Sequence, residues 1–247
     1  MKLLKKGLLL PTVLGLVFVL GGCVSSDDIA EAILGTVTVS GNVVDASNGD
    51  AALSGVSIKA TTSGLPASQT YDSSTVTTDG SGNFSLKVAK DLPIYFHMTN
   101  SGYATFNSAI DSYASDQSVA DVPMITTVDA ETIIDAAFPT SSLNLADKAW
   151  LVVEVRDATS GDDFAGVTIA SSNAPTESAY NNQNTCVNDY DAGAGPTANC
   201  TATREGPMYI AYFDAEEVID VSITGTATGS QAALVRVGEV AVVVFEQ

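Results

Sequence analysis

The chain has 247 residues, 10 lysines and arginines against 29 aspartates and glutamates, and a formal charge of −19 at neutral pH. A chain this acidic repels phosphate backbones, which excludes general nucleic-acid binding. Charged residues make up only 16% and apolar ones 45%, so most of the chain builds a packed core and not an acidic disordered tail. The length suits one large domain or two smaller ones.

Residues 1–22 read as an export signal. Lys2, Lys5 and Lys6 precede an apolar run, Gly7 to Leu20, which is too short to span a membrane comfortably. The run ends in Leu20-Gly21-Gly22-Cys23, which resembles the lipobox of bacterial lipoproteins. That resemblance implies cleavage before Cys23 and lipidation of its thiol, with several acyl chains giving a stable anchor at about 0.8 kcal/mol per buried methylene. Val24 rather than Asp follows the cysteine, which by resemblance to lipoprotein sorting favours the outer membrane, facing the periplasm or the surface. Residues 23–35, with Ser25-Ser26-Asp27-Asp28, read as a polar tether. Removing the signal takes away three lysines and no acid, so the exported chain is more acidic still.

From residue 36 the pattern alternates. Thr36–Val44 reads as a half-buried strand and Asp45–Asp50 as a turn. Strands follow at Val56–Ala60, Thr75–Thr78, Phe84–Val88 and Ile94–Met98, with Asp79-Gly80-Ser81-Gly82-Asn83 as a hairpin signal. In the last of these, alternation sets Ile94, Phe96 and Met98 on one face and Tyr95 and His97 on the less apolar one. One helix is expected at Asp129–Phe138, with Asp129 and Glu131 in its first turn and Pro139 ending it. Ile133 with Ala137, and Ile134 with Phe138, would pack it at a domain junction.

The chain repeats itself. Asp45–Asp50 followed by Leu53–Ile58 aligns with Asp157–Asp162 followed by Phe164–Ile169, and Gly82–Leu86 aligns with Gly206–Ile210. The expected organisation is therefore all-β: a β-sandwich over 36–125, a helical linker over 126–148, and a second, divergent sandwich over 149–247.

Val39-Ser40-Gly41-Asn42-Val43-Val44-Asp45, Leu53–Ile58, Thr77–Phe84 and Ser101–Thr105 resemble the carboxypeptidase regulatory-like domain. The resemblance implies an Ig-like or transthyretin-like sandwich, grouped with carbohydrate-binding-like folds. It implies no activity, because its motifs are turn glycines and core apolar residues. The second copy departs from it, with Arg204-Glu205-Gly206-Pro207 in place of the Asp79–Asn83 turn and an insertion over about 171–200. The parent enzymes' zinc peptidase domain needs a His-x-x-Glu pair and a further histidine. This chain has one histidine, His97, followed by Met98-Thr99-Asn100, so it cannot supply that metal site.

Cys186 and Cys200 remain once Cys23 is assigned to lipid. In an oxidising compartment they are expected to form a disulfide, worth roughly 3 kcal/mol for a loop of this length. Their spacing fits no zinc pattern. The insertion carries Tyr180, Asp189, Tyr190 and Asp191, a set suited to glycan or protein contact. Carboxylates cluster in turns at Asp45 and Asp50, Asp79, Asp157 with Asp162 and Asp163, and Asp189 and Asp191, and calcium at one of these is the one cofactor to consider, although Asx turns need no metal. No nucleophile–base motif appears. The expectation is a non-catalytic, lipid-anchored envelope module that binds or supports other components. A carbohydrate-binding module using residues 180–191 and a subunit of a larger surface complex are the alternatives.

Overall fold

The computed structural model describes residues 33–66, 70–119, 121–138, 142–156, 167–181, 190–192 and 209–246. The signal, Cys23, Pro139, the second-copy turn at 157–166, Cys186 with Cys200, and Asp189 lie outside them. Among the described residues no helix is long and apolar enough to cross a membrane.

The fold is all-β. The alternation at the start forms β1 (Thr36–Asp45), which buries Val37, Val39 and Val43. Strand β1 is the centre of one sheet. It pairs antiparallel with β5 (Asn83–Ala89) and β2 (Ala51–Ala52), and parallel with β8 (Gln117–Ser118) and β9 (Val122–Met124). Gly41 is required where Phe84 crosses it, since a Cβ there would stand 3.0 Å from that ring and 2.6 Å from Val119. The facing sheet runs β4 (Val76–Thr77), β3 (Ser57–Thr61), β6 (Tyr95–Thr99) and β7 (Phe106–Ile110). Ile58, Ala60, Leu86, Val88, Phe96 and Met98 fill the space between the sheets.

The Asp79–Asn83 segment is not a hairpin between paired strands. Strand β4 pairs with β3 and β5 pairs with β1, so the turn carries the chain from one sheet to the other. Its Asp79 carboxylate accepts from the backbone N–H groups of Ser81 (2.8 Å) and Asn83 (2.9 Å), which closes the turn.

Helix α1 (Thr127–Ala137) starts two residues before the expected boundary, because Thr126 caps it. The Thr126 hydroxyl oxygen accepts from the Asp129 N–H at 3.1 Å. Ala130, Ile133, Ile134 and Ala137 form its buried face. The second half contributes β10 (Ala149–Arg156), β11 (Val167–Ser171), β12 (Glu177–Asn181), β13 (Tyr190–Ala192), β14 (Tyr209–Phe213), β15 (Glu217–Gly225), β16 (Gly229–Val235) and β17 (Val240–Glu246).

The strand pairing repeats along the chain. In the first half β1 pairs antiparallel with β5 and parallel with β9, while β6 pairs antiparallel with β3 and β7. In the second half β10 pairs antiparallel with β14 and parallel with β17, while β15 pairs antiparallel with β11 and β16. Strand for strand, β7 answers to β16 and β9 to β17.

The two halves share a sheet. Strand β7 pairs parallel with β17 at Phe106–Ser108 and antiparallel with β16 at Ala109 and Ile110, so it lies between two consecutive strands of the other half. Strand β10 is buried along one face and, at Trp150, on the other. Leu151, Val153 and Val155 enter a second core with Phe213, Ile219, Val243 and Phe245, while Trp150 enters the first core beside Phe138.

Two carboxyls in the first half are held below their ordinary range. For Asp79 the causes are the Asn83 and Ser81 backbone N–H groups, and for Asp129 the Thr126 and Ser47 hydroxyls. A depressed carboxyl contributes stability that is complete above its unfolded value and is lost as pH falls through the folded one. The melting temperature is therefore expected to drop on acidification below about pH 4, and more shallowly in an Asp79→Asn, Asp129→Asn chain. Identical acid limbs in calorimetry would refute this.

Candidate binding cleft

The site begins where β7 leaves β17. The Val240 N–H donates to Thr105 and the Trp150 N–H donates to the Glu239 carbonyl, so even-numbered residues of β17 point their backbone groups away from β10. Val240–Val242 find β7 there. Beyond Ser108, β7 turns to β16, while β17 continues along β10 to Glu246. Among the described residues no strand covers the outer side of Val243–Glu246. The Val244 carbonyl instead accepts from the Gln231 side-chain amide at 3.2 Å.

The facing wall is made by β8 and β9, whose inner side is taken by β1, with Val119 and Asp121 beside them. Between the walls lies an open cleft of about 480 Å³, within the size range of ligand sites. Phe96, Met98, Phe106, Val242 and Val244 make an apolar lining, and Asp111, Asp121, Glu246 and Arg156 are its charged members. Arg156 is itself paired with Glu154, which leaves the cleft predominantly anionic. Tyr113 adds a ring 6.0 Å from that of Phe96. Burial, helped by the Asp111 charge, pushes its phenol up to about 12, so it stays neutral at physiological pH. Ser108 is spent on the backbone: its oxygen accepts from the Phe96 N–H and its hydroxyl donates to the Ala109 carbonyl. His97 is not among the lining residues. This arrangement offers apolar contact and negative charge to whatever enters it.

A polar network locks the joint beside the cleft. Asn107 of β7 is fully buried, with its side-chain oxygen 2.9 Å from His97 Nδ1 and its amide donating to Glu239 at 2.6 Å. Arg236 pairs with Glu216 at 3.0 Å and donates to the Tyr95 hydroxyl, which in turn donates to the Ser63 carbonyl at 2.9 Å. Tyr95, expected on a less apolar face with His97, is 1% exposed. The second half covers that face, and burial raises its phenol above the usual range. Asn107 and Glu239 were not legible as a pair. The signal available was an amide inside the otherwise strand-like Phe106–Ile110 run.

The insertion residues lie elsewhere. Strands β12 and β13 pair with Tyr180 opposite Asp191 and Asn181 opposite Tyr190. This pair ends the sheet, with β14 and β10 between it and β17, so Tyr180, Tyr190 and Asp191 are not brought to the cleft. Among the described residues no three His, Cys, Asp or Glu side chains are grouped to hold a metal ion.

No protein-family model matches the chain, and no curated protein matches it. Solved structures do. A cohesin–X-dockerin complex from Acetivibrio cellulolyticus matches at 18% identity over 36% of this chain and 56% of that one, with a TM-score of 0.27. The TIE protein of Bacillus anthracis matches at 12% identity over 85% of this chain and 34% of that one, with a TM-score of 0.28. The shaft pilin SpaA from Lactobacillus rhamnosus GG matches at 13% identity over 84% of this chain and 96% of that one, with a TM-score of 0.27. The chain thus spans just over half of the cohesin match and about a third of TIE. Superpositions this loose establish no common fold, and the all-β architecture stands on the chain's own strand pairing.

Proposed function

We infer that the protein is a non-catalytic module of the cell envelope, anchored by lipid at Cys23 and holding a partner in the cleft between β17 and the β8–β9 wall. Its two halves are two copies of one sandwich domain. The repeated strand pairing supports that reading, and Leu20-Gly21-Gly22-Cys23 supports the outer-membrane anchor. The observation that carries the binding role is an open, apolar-lined, anionic cleft beside a stretch of β17 that, among the described residues, no strand pairs with on its outer side.

Two measurements test it. Cys23→Ser is expected to move the protein from the membrane fraction to the soluble one, and persistence in membranes overturns the anchor. A photocrosslinking residue at Val119, inside the cleft, is expected to capture a partner in intact cells. The same residue at exposed Val128 is the control, and equal capture from both sites overturns the cleft.

A further inference from the structure

We propose that the cleft takes an extended segment of a partner protein, alternating apolar and basic residues, added as a strand to the edge of β17 that no described strand pairs with. The proposal rests on the cleft reading and names its occupant.

The molecule already makes this kind of joint within itself. Strand β7 enters from the first half and pairs with both β17 and β16. That joint uses only part of β17: pairing stops at Val242 opposite Ser108, while the strand runs on to Glu246. The backbone direction established by Val240 leaves Val244 and Glu246 pointing into the open side. A strand edge there is a template for main-chain hydrogen bonds. The Gln231 amide on the Val244 carbonyl occupies the position a neighbouring strand's N–H would take.

The side chains define the occupant. A strand presents every second residue to one face, and Phe96, Phe106 and Val244 offer that face apolar contact. Asp111, Asp121 and Glu246 outweigh Arg156, which already has Glu154, on a chain whose net charge is −19. Basic residues at the alternate positions match this field. The opposite wall is a poor template, because Pro123 has no N–H and Asp121 sets a charge in the edge. The pairing side is therefore β17.

The test uses the full-length protein in detergent micelles and short peptides labelled for fluorescence anisotropy. A peptide alternating lysine and valine is expected to bind, and one alternating glutamate and valine to bind at least about tenfold more weakly. A lysine–valine peptide N-methylated at alternate residues keeps the charge and loses backbone donors, and is likewise expected to lose about tenfold. Hydrogen exchange at residues 243–246 should slow on binding. Gln231→Ala should tighten binding, and Glu246→Lys should weaken it. Equal affinity of the methylated and unmethylated peptides, or unchanged exchange at 243–246, overturns strand addition. If no peptide binds while Val119 still crosslinks selectively, the strand proposal fails and the cleft reading survives. If crosslinking is also unselective, the cleft reading itself has failed.

Discussion

Trp150→Ala is expected to lower the unfolding free energy by about 3–5 kcal/mol. The ring is 1% exposed and packs in the first core from the shared sheet, beside Phe138 at the end of the helix. Its centroid is 6.1 Å from that of Phe138 and 5.5 Å from that of Tyr212, and those two are 5.4 Å apart in an edge-to-face contact. Truncation removes the largest buried side chain and opens a cavity that β10 cannot collapse into, because its other face already packs Leu151 and Val153 into the second core. It also strands the Leu145 carbonyl, which accepts from the indole N–H at 3.2 Å. Trp150→Phe keeps most of the ring and should cost less. Because this is the only tryptophan, unfolding must be followed by circular dichroism or calorimetry. A loss below about 1 kcal/mol would show that the junction is not packed as described.

Asn107→Ala is expected to cost about 2–3 kcal/mol, the range for a buried hydrogen bond to a charged group together with the partners left behind. The amide joins β6 to the β16–β17 connection, bridging residues 132 apart in sequence, so the loss falls on the contact between halves. Asn107→Asp is sterically mild and sets a second carboxylate beside Glu239. It should be less stable than the parent at neutral pH and recover part of the difference on acidification, as one of the two carboxyls takes a proton. A double-mutant cycle of Asn107→Ala with Glu239→Ala should show a coupling of at least about 0.5 kcal/mol. Strict additivity in urea unfolding would mean the hydrogen bond contributes nothing.

Local patterns carried most of the architecture into view. Alternation marked β1, β3, β5 and β6 to within a residue or two, because one face of each packs between two sheets and the other does not. The helix was legible from Ile133, Ile134 and Ala137, and only its Thr126 cap escaped. The second copy of the turn lies outside the described residues, while the strands around it pair in the same scheme as those of the first half.

The candidate site was a different matter. Tyr180, Tyr190 and Asp191 attract notice because they lie close together in sequence, yet β12 and β13 set them at the far end of the sheet. The cleft draws on Phe96, Phe106, Val122 and Val244, ordinary strand residues with no chemical signature of their own.

By itself, then, the sequence determined an acidic, all-β chain with a Leu20-Gly21-Gly22-Cys23 run that resembles a lipobox, a recurring turn-and-strand pattern and a single histidine. These follow from composition and near-neighbour spacing, to which every residue contributes wherever it ends up. Tertiary structure alone decided that β7 would enter the other half, that Asn107 would meet Glu239, and that β17 would run on to Glu246 beyond its pairing with β7. Those outcomes depend on how far one strand's pairing extends before another's begins. Such competition between distant backbone partners leaves no local trace in the order of side chains.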